Sequence, residues 1–327
     1  MATTPVIDSF YRKQLLSRRK RIEQASRRSD APSHLGRLLT EVDNALGKMD
    51  DGSYGICEIC HEPVEADRLV ADPIVRICLE HFTEQERAAL ERDLELAAQV
   101  QKTLLPEKVL RRDGWHICFH YEPAGVVSGD YCDIVDAADG SVYFIVGDVS
   151  GKGLAASMLM AHLHAMFRTL ISVEVPLCCM LEHASRVFAQ STLPNQYATL
   201  VCGRAAQDGS IELVNAGHPA PLVLHQGVVG ELGVSDLPIG LFASEEFSVN
   251  TLQLESGDGL VIYSDGVSEA TDLSGIEYTP QRLQKILGDR RDCDAAALLS
   301  ACREDLSRFR GHARKNDDVT LFVLSRL

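Results

Sequence analysis

The apolar positions of this chain change their period partway along it. Over roughly the first hundred residues they recur at helical spacing. Residues 6–28 read as a basic amphipathic helix with Ile7, Phe10, Tyr11, Leu15 and Ile22 as its apolar positions. Ser-Asp-Ala-Pro-Ser at 29–33 reads as a turn. A second helix is expected over about 34–49, where Leu35, Leu38, Leu39, Val42, Ala45, Leu46 and Met49 share a face. The two helices can close as an antiparallel hairpin, and Asp-Asp-Gly at 50–52 ends the second. From Thr83 to Glu107 no helix breaker occurs before Pro106. Thr83 is placed to cap this helix, with Glu84 and Glu86 in its first turn. Leu90, Leu94, Ala97, Gln101 and Leu104 form a short a/d seam. The seam fits either a parallel dimer or a single helix packed on the following domain.

From about residue 108 the pattern becomes strand runs and turns mixed with helices. Val142–Val146, Ala198–Gly203, Ile211–Asn215, Pro221–His225, Leu260–Ser264 and Val319–Leu324 read as strands, the second and third forming a hairpin whose sheet Pro221–His225 continues. Leu154–Ser172 reads as a helix with two apolar faces, and Cys178 and Cys179 read as helix core. Strands clustered around a few long helices predict a layered α+β fold. The expected divisions are a helical hairpin at 1–49, a small module at 50–82, a linker helix at 83–107 and a large domain at 108–327.

The chain has 327 residues, 45 % of them apolar, enough for two or three domains. Its net charge of −15 argues against general nucleic-acid binding. The charge is uneven, since Arg12, Lys13, Arg18, Arg19, Lys20, Arg21, Arg27 and Arg28 crowd the first helix. That run reads as a solvated face or as a surface for nucleic acid or an acidic partner. No stretch reads as long and apolar enough to span a membrane, and the start lacks the apolar core of a signal peptide. A cytoplasmic protein with reduced thiols is therefore expected, some of its ten cysteines serving as metal ligands.

Cys57-x2-Cys60 and Cys78-x2-His81 stand seventeen residues apart. Two such knuckles have the spacing of a tetrahedral structural zinc site, with His61 a weaker candidate for the fourth ligand. Four acidic motifs follow: Ser-Gly-Asp-Tyr-Cys-Asp at 128–133, Gly-Asp-Val-Ser-Gly-Lys-Gly at 147–153, Tyr-Ser-Asp-Gly-Val at 263–267 and Asn-Asp-Asp-Val-Thr at 316–320. Each sets an aspartate at the edge of a strand-like run. Carboxylates so placed can hold two hard divalent cations, and a two-metal site activates water for attack on a phosphate ester. Lys152 reads either as a neutraliser of these carboxylates or as solvated. His218 reads as a turn residue or a proton donor, and Asp133 as a residue behind the metal ligands or in a turn. The glycines at 151 and 153 do not complete a P-loop.

Residues 38–82 resemble the zinc finger of the DksA/TraR family, through Val42-Asp43-Asn44-Ala45-Leu46, Gly52-Ser53-Tyr54-Gly55, Ala71-Asp72-Pro73 and both knuckles. His81 stands where the fuller family pattern has cysteine, and no acidic tip of the polymerase-binding members is visible. Residues 95–327 resemble the SpoIIE/RsbU branch of the metal-dependent type 2C protein phosphatases. The resemblance rests on the four acidic motifs, in order with Asn-Ala-Gly-His-Pro at 215–219 and Leu-Pro-Ile-Gly-Leu at 237–241. It implies an αββα sandwich with two Mn²⁺ or Mg²⁺ ions at one end of paired sheets. It implies that Asp148 bridges both ions with the Val149 carbonyl as a further ligand, and that Asp130 binds one. It places Asp265 and either Asp317 or Asp318 on the other side, Asp317 being the better match. The implied substrate is a phosphoprotein such as a STAS-type anti-sigma-factor antagonist; the position of the zinc module ahead of this domain reads as a gate on it. A different reading makes the chain an adaptor that binds RNA polymerase through its finger, with the phosphatase fold as scaffold.

Overall fold

The computed structural model describes residues 5–26, 32–65, 68–69, 72–81, 84–193, 196–233, 235–241, 246–290 and 294–327. Thr83, expected as a cap, and residues 29–31 of the expected turn lie outside these. The chain divides into two compact units, Met1–Arg92 and Asp93–Leu327.

In the first unit, α1 (Pro5–Ser26) and α2 (Pro32–Asp51) pack through Leu15, Ile22, Val42 and Ala45. Arg12 meets Asp50 at 2.7 Å and Arg19 meets Asp43 at 2.9 Å, a crossed register that antiparallel helices produce. Tyr11 joins Cys57, Val64, Leu69 and Cys78 in a second small core. So small an apolar cluster holds a segment poorly without a metal staple. Next along the chain comes α3 (Glu84–Leu104), and the division between the units falls within it.

The second unit is built from two antiparallel sheets. One has six strands in the order β1 (Val109–Arg112), β2 (Trp115–Glu122), β11 (Val319–Arg326), β10 (Gly259–Tyr263), β7 (Leu222–His225) and β8 (Val228–Glu231). The other has five, in the order β3 (Tyr131–Asp136), β4 (Val142–Val149), β5 (Ala198–Ala205), β6 (Ser210–Ala216) and β9 (Asn250–Gln253). The pleat explains why the central strands are apolar at almost every position: both of their faces are covered. Phe144 and Val146 point between the sheets, while Tyr143 and Ile145 point at helices. On β11, Phe322 and Leu324 face the inter-sheet core and Leu321 and Val323 face away from it. Phe144 stacks on Phe322 across the sheets at 5.5 Å.

The outer layers complete the expected αββα sandwich. Helices α4 (Gly153–Ser172) and α5 (Leu177–Ser191) cover the five-stranded sheet through Met160, Leu163, Phe167, Leu181 and Phe188. Helices α7 (Pro280–Gly288) and α8 (Ala295–Arg310) cover the six-stranded sheet through Leu283, Leu287, Leu298 and Leu306. Between β10 and α7 lies one short helix, α6 (Asp265–Ser268). Three sequence expectations need correction. Pro221–His225 was expected to continue the sheet of the preceding hairpin, yet β7 belongs to the other sheet. Cys178 and Cys179 lie in a helix but are half-buried rather than core. Helix α4 is long and apolar enough by composition to cross a membrane, contrary to the sequence count. Its apolar face is spent on the five-stranded sheet.

Asp133 is fully buried on β3 and neither turns the chain nor reaches the acidic end. It takes a two-pronged ion pair from Arg168 of α4, at 2.8 and 2.7 Å. Ile134 N–H donates to it at 2.8 Å and the Tyr131 hydroxyl at 3.4 Å. This pair ties the helix that follows the second acidic motif to the strand that follows the first. Arg168→Ala strands a buried carboxylate, at an expected cost of about 2–4 kcal/mol. A urea melt should show a lowered midpoint, and an unchanged midpoint would show that apolar packing alone seats α4.

Candidate active site and zinc centre

The carboxylates converge because two hairpins end at the same place. Asp130 immediately precedes β3, and Asp148 lies near the end of its antiparallel neighbour β4. Asp265 follows β10, and Asp317 and Asp318 precede β11, again antiparallel neighbours. Bonds between the sheets join the two pairs. Asp318 accepts the amide of Gly129 at 2.9 Å and that of Ala124 at 2.6 Å. Thr320 donates its hydroxyl to Asp130 at 2.5 Å, and Ser264 accepts the Thr320 amide at 2.9 Å. Lys152 reaches the Asp317 carboxylate and the Asn316 carbonyl, each at 2.9 Å. It is thus a neutraliser of the acidic loop while remaining exposed to solvent.

Gly129 is where the pieces meet most closely. A Cβ there would stand 3.1 Å from the Val149 carbonyl oxygen and 3.2 Å from Asp148 Oδ1. The Val149 carbonyl, Asp148 and Asp318 therefore all surround one residue. The glycines at 151 and 153 answer to backbone conformation rather than to close packing. Both have open space around them and positive φ, 102° and 71°, so the backbone conformation selects glycine there.

Electrostatically the carboxylates disfavour one another's charge. Burial, then the charge of Asp148, pushes Asp130 well above the ordinary carboxylate range. Burial followed by Asp265, Asp317 and Asp318 raises Asp148 to about 7. Asp265 is raised by burial and by Asp317. All donors are hard oxygens, the set that suits Mg²⁺ or Mn²⁺. Like charges held this close are stabilised by divalent cations, so the residues present fit such ions.

The two motifs lacking acids turn out to be scaffold. Asn215 accepts the His218 amide at 2.9 Å and donates to the His218 carbonyl at 3.0 Å, a closed turn. His218 is buried beside Thr199, 3.0 Å from its hydroxyl, and burial lowers its pKa to about 3. Ile239 bonds Ala198 in both directions at 2.9 and 3.0 Å, next to the strand partner of Asp148. A residue the sequence showed only as part of a seam acts here. Gln101 of α3 donates to the Ser128 carbonyl at 2.7 Å and accepts the Ser128 amide at 3.0 Å, two residues before Asp130. Gln101 is buried and Leu104 packs on the second unit's core, so the end of the seam is used within the chain.

In the first unit Cys57, Cys60, Cys78 and His81 bring their ligand atoms within 4.8 Å of one another. Cys60 and Cys78 sulfurs are 3.6 Å apart, and His81 Nδ1 lies 3.1 Å from Cys78 Sγ and 3.9 Å from Cys57 Sγ. Bond lengths of about 2.0–2.3 Å to zinc give tetrahedral edges near these values. Burial raises the Cys57 thiol, but amide donors from Cys60, Cys78 and Ile59 outweigh it and bring it down to about 6. His61 stands outside the quartet in a turn with φ 62°. Among the described residues this is the group whose ligand atoms cluster so tightly; the carboxylates approach one another less closely. The basic face of α1 is partly spent, with Arg12, Arg18 and Arg19 paired to Asp50, Asp72 and Asp43.

The second unit has the fold of the SiaA-PP2C domain of Pseudomonas aeruginosa, with a TM-score of 0.63 and 18 % identity over 74 % of this chain and 97 % of that one. Fold and carboxylate end together define a PP2C-type phosphatase domain. Residues 138–327 match the family model described as stage II sporulation protein E, and the chain belongs to this SpoIIE family. Phosphoserine phosphatase RsbU of Bacillus subtilis is 27 % identical over 72 % of this chain and 70 % of its own length. Protein IcfG of Synechocystis is 24 % identical over 72 % of this chain, but this covers 41 % of IcfG. Residues 52–87 match the prokaryotic dksA/traR C4-type zinc finger. The RNA polymerase-binding transcription factor DksA of Caulobacter vibrioides is 39 % identical over 51 residues, 16 % of this chain and 36 % of its own.

Gly266 tests the convergence directly. A Cβ there would lie 1.9 Å from the Asp318 carbonyl oxygen, so Gly266→Ala must push the Asp317–Asp318 segment away from Asp265. The variant should keep its zinc and far-UV spectrum yet bind Mn²⁺ at least about tenfold more weakly, a shift of about 1.4 kcal/mol. Unchanged Mn²⁺ affinity would mean that the two segments do not share a cation.

Proposed function

We propose that this chain is a metal-dependent serine/threonine phosphoprotein phosphatase whose zinc-finger unit regulates its catalytic unit. The convergence of Asp130 and Asp148 from one sheet with Asp265, Asp317 and Asp318 from the other carries this reading. Asp148 would bridge two Mn²⁺ or Mg²⁺ ions with the Val149 carbonyl beside it. Asp130 would hold one ion, and Asp265 with Asp317 or Asp318 the other. Bound there, the ions supply a water of lowered pKa and neutralise charge on the phosphoryl oxygens. The protein's own part is positioning: Thr320 orients Asp130, Lys152 restrains Asp317, and Gln101 fixes the turn leading to Asp130. The relatives support a phosphoserine protein substrate in partner switching, and a STAS-type anti-sigma-factor antagonist in the cytoplasm fits best. One Zn²⁺ on Cys57, Cys60, Cys78 and His81 staples the regulatory unit. Exposed Leu90, Leu96 and Val100 on α3 support pairing with a second copy through the part of 83–105 that the second unit's core does not take up. Binding to RNA polymerase through the finger is the weaker reading, because the likeness to DksA is confined to a short segment and three arginines of α1 are engaged.

Phosphate release from a phosphoserine protein should require Mn²⁺ or Mg²⁺, and Asp148→Asn should lower it at least about a thousandfold, since paired ions stabilise the transition state by several kcal/mol. Metal-independent turnover, or full activity in the variant, would contradict the reading. Gln101→Leu removes both bonds to Ser128. It should lower turnover about tenfold through misplacement of the Asp130 turn while zinc content stays at one per chain. Normal turnover in that variant would show that α3 does not hold the site in order.

A further inference from the structure

A cavity of about 350 Å³ lies within the second unit, between the end of α3, strand β2 and the loop that follows β2. Ala98 and Leu105, Phe119 and Tyr121, and Pro123 and Val126 give it apolar walls from these three parts. Phe119 is buried in the inter-sheet core, and Leu105 and Tyr121 pack on the same core, so the sandwich fixes the floor. Val126, at 54 % exposure, leaves apolar surface to solvent beside it. The volume falls at the small end of the range of about 300–1,000 Å³ that takes small molecules. At the ~30 Å³ that a water occupies in the liquid, it has room for about a dozen non-hydrogen atoms.

Two cations and no carboxylate line it. Lys102 and Lys108 are exposed and make no ion pair or hydrogen bond among the described residues. Glu107 and Glu122 are neighbours in sequence but line no part of the cavity, and Glu122 is held by Lys315 and by Arg310 at 3.4 Å. Lys102 stands in the last turn of α3, where it offsets the negative carbonyl end of the helix. In a chain of net charge −15, uncompensated lysines beside an apolar recess make a local exception. Such a recess suits a ligand with an apolar body and an anionic head, since the ammonium groups give the head charge-assisted hydrogen bonds.

The same walls hold the candidate metal site in place. Gln101 lines the cavity and makes both bonds to Ser128, two residues before Asp130. Tyr121 lines it and donates its hydroxyl to the Asp130 carbonyl at 3.4 Å. Pro123 and Val126 flank Ala124, whose amide donates to Asp318 at 2.6 Å. We propose that this cavity binds a small amphipathic carboxylate, and that the bound molecule braces these three connections and so tightens the catalytic ions. The coupling to the ions rests on the shared-carboxylate reading of the site, whereas the binding itself does not.

Octanoate and 1-octanol share a chain and differ in the charged head. Each is titrated calorimetrically into the full, zinc-loaded protein, beside the variants Lys102→Gln/Lys108→Gln and Ala98→Phe, and Mn²⁺ is then titrated with and without octanoate. Octanoate should bind once per chain with a Kd below about 1 mM, and 1-octanol at least about tenfold more weakly. The double lysine variant should bring the two ligands within about twofold of each other. Ala98→Phe, which fills the cavity, should abolish octanoate binding while the far-UV spectrum stays as in the wild type. Saturating octanoate should lower the Kd for Mn²⁺ about threefold, and by reciprocity Mn²⁺ should tighten octanoate by the same factor. No octanoate binding, equal affinity of the wild type for the two ligands, or octanoate binding that survives in Ala98→Phe would overturn the site. Octanoate binding that leaves the Mn²⁺ affinity unchanged would overturn the coupling. A wild type that binds octanoate but no Mn²⁺ would overturn the shared-carboxylate reading and the coupling with it, and would leave the cavity assigned.

Discussion

Like charges crowded at the joint of two sheets set the terms for the rest of the catalytic unit. Asp130, Asp148 and Asp265 are all pushed toward their neutral forms by burial and by one another. A fold that keeps them together needs rigid anchors behind each, and the sandwich provides them. Asp318 is tied to two amides of the other sheet's approach loop, Asp130 to Thr320, and Asp317 to Lys152. The approach at Gly266 leaves no room for a side chain, and that at Gly129 is tighter than ordinary contact. The inter-sheet core through Phe144 and Phe322 then fixes the distance between the two hairpin ends. Stability and chemistry meet at this joint: cations that relieve the repulsion are also the ones that would polarise a phosphate ester.

Much of this was legible in the chain because the strands are buried on two faces. Val142–Val146 and Val319–Leu324 stand out as apolar runs, and each has an acid at its edge. The knuckles at Cys57 and Cys78 were equally plain, since ligand spacing is local. Less visible was whatever depends on long-range pairing. Nothing local tells β7 to leave its preceding hairpin for the other sheet. Asp133 looks like part of an acidic motif, and only its partner Arg168, a helix away, reveals a buried clamp. Gln101 reads as one more seam position until the Ser128 turn is folded against it.

The two units offer donor sets of different kinds. Soft thiolates with one imidazole suit a structural zinc ion in a unit with little core of its own. Hard carboxylates suit exchangeable ions that take part in hydrolysis. Helix α3 runs from the finger's sequence to the turn before Asp130, so a change in the first unit has a covalent route to the second. Histidine at position 81 supplies the fourth donor atom of the cysteine cluster.

The most direct test of the account is the number of catalytic-site ions per chain. Calorimetric titration of Mn²⁺ into the zinc-loaded protein, repeated with Asp148→Asn, would read it. Two Mn²⁺ per chain in the wild type, with both sites weakened together by the single substitution, is the predicted result. A folded wild type that binds no Mn²⁺, or an Asp148→Asn protein that binds it as well as the wild type, would contradict a shared carboxylate site.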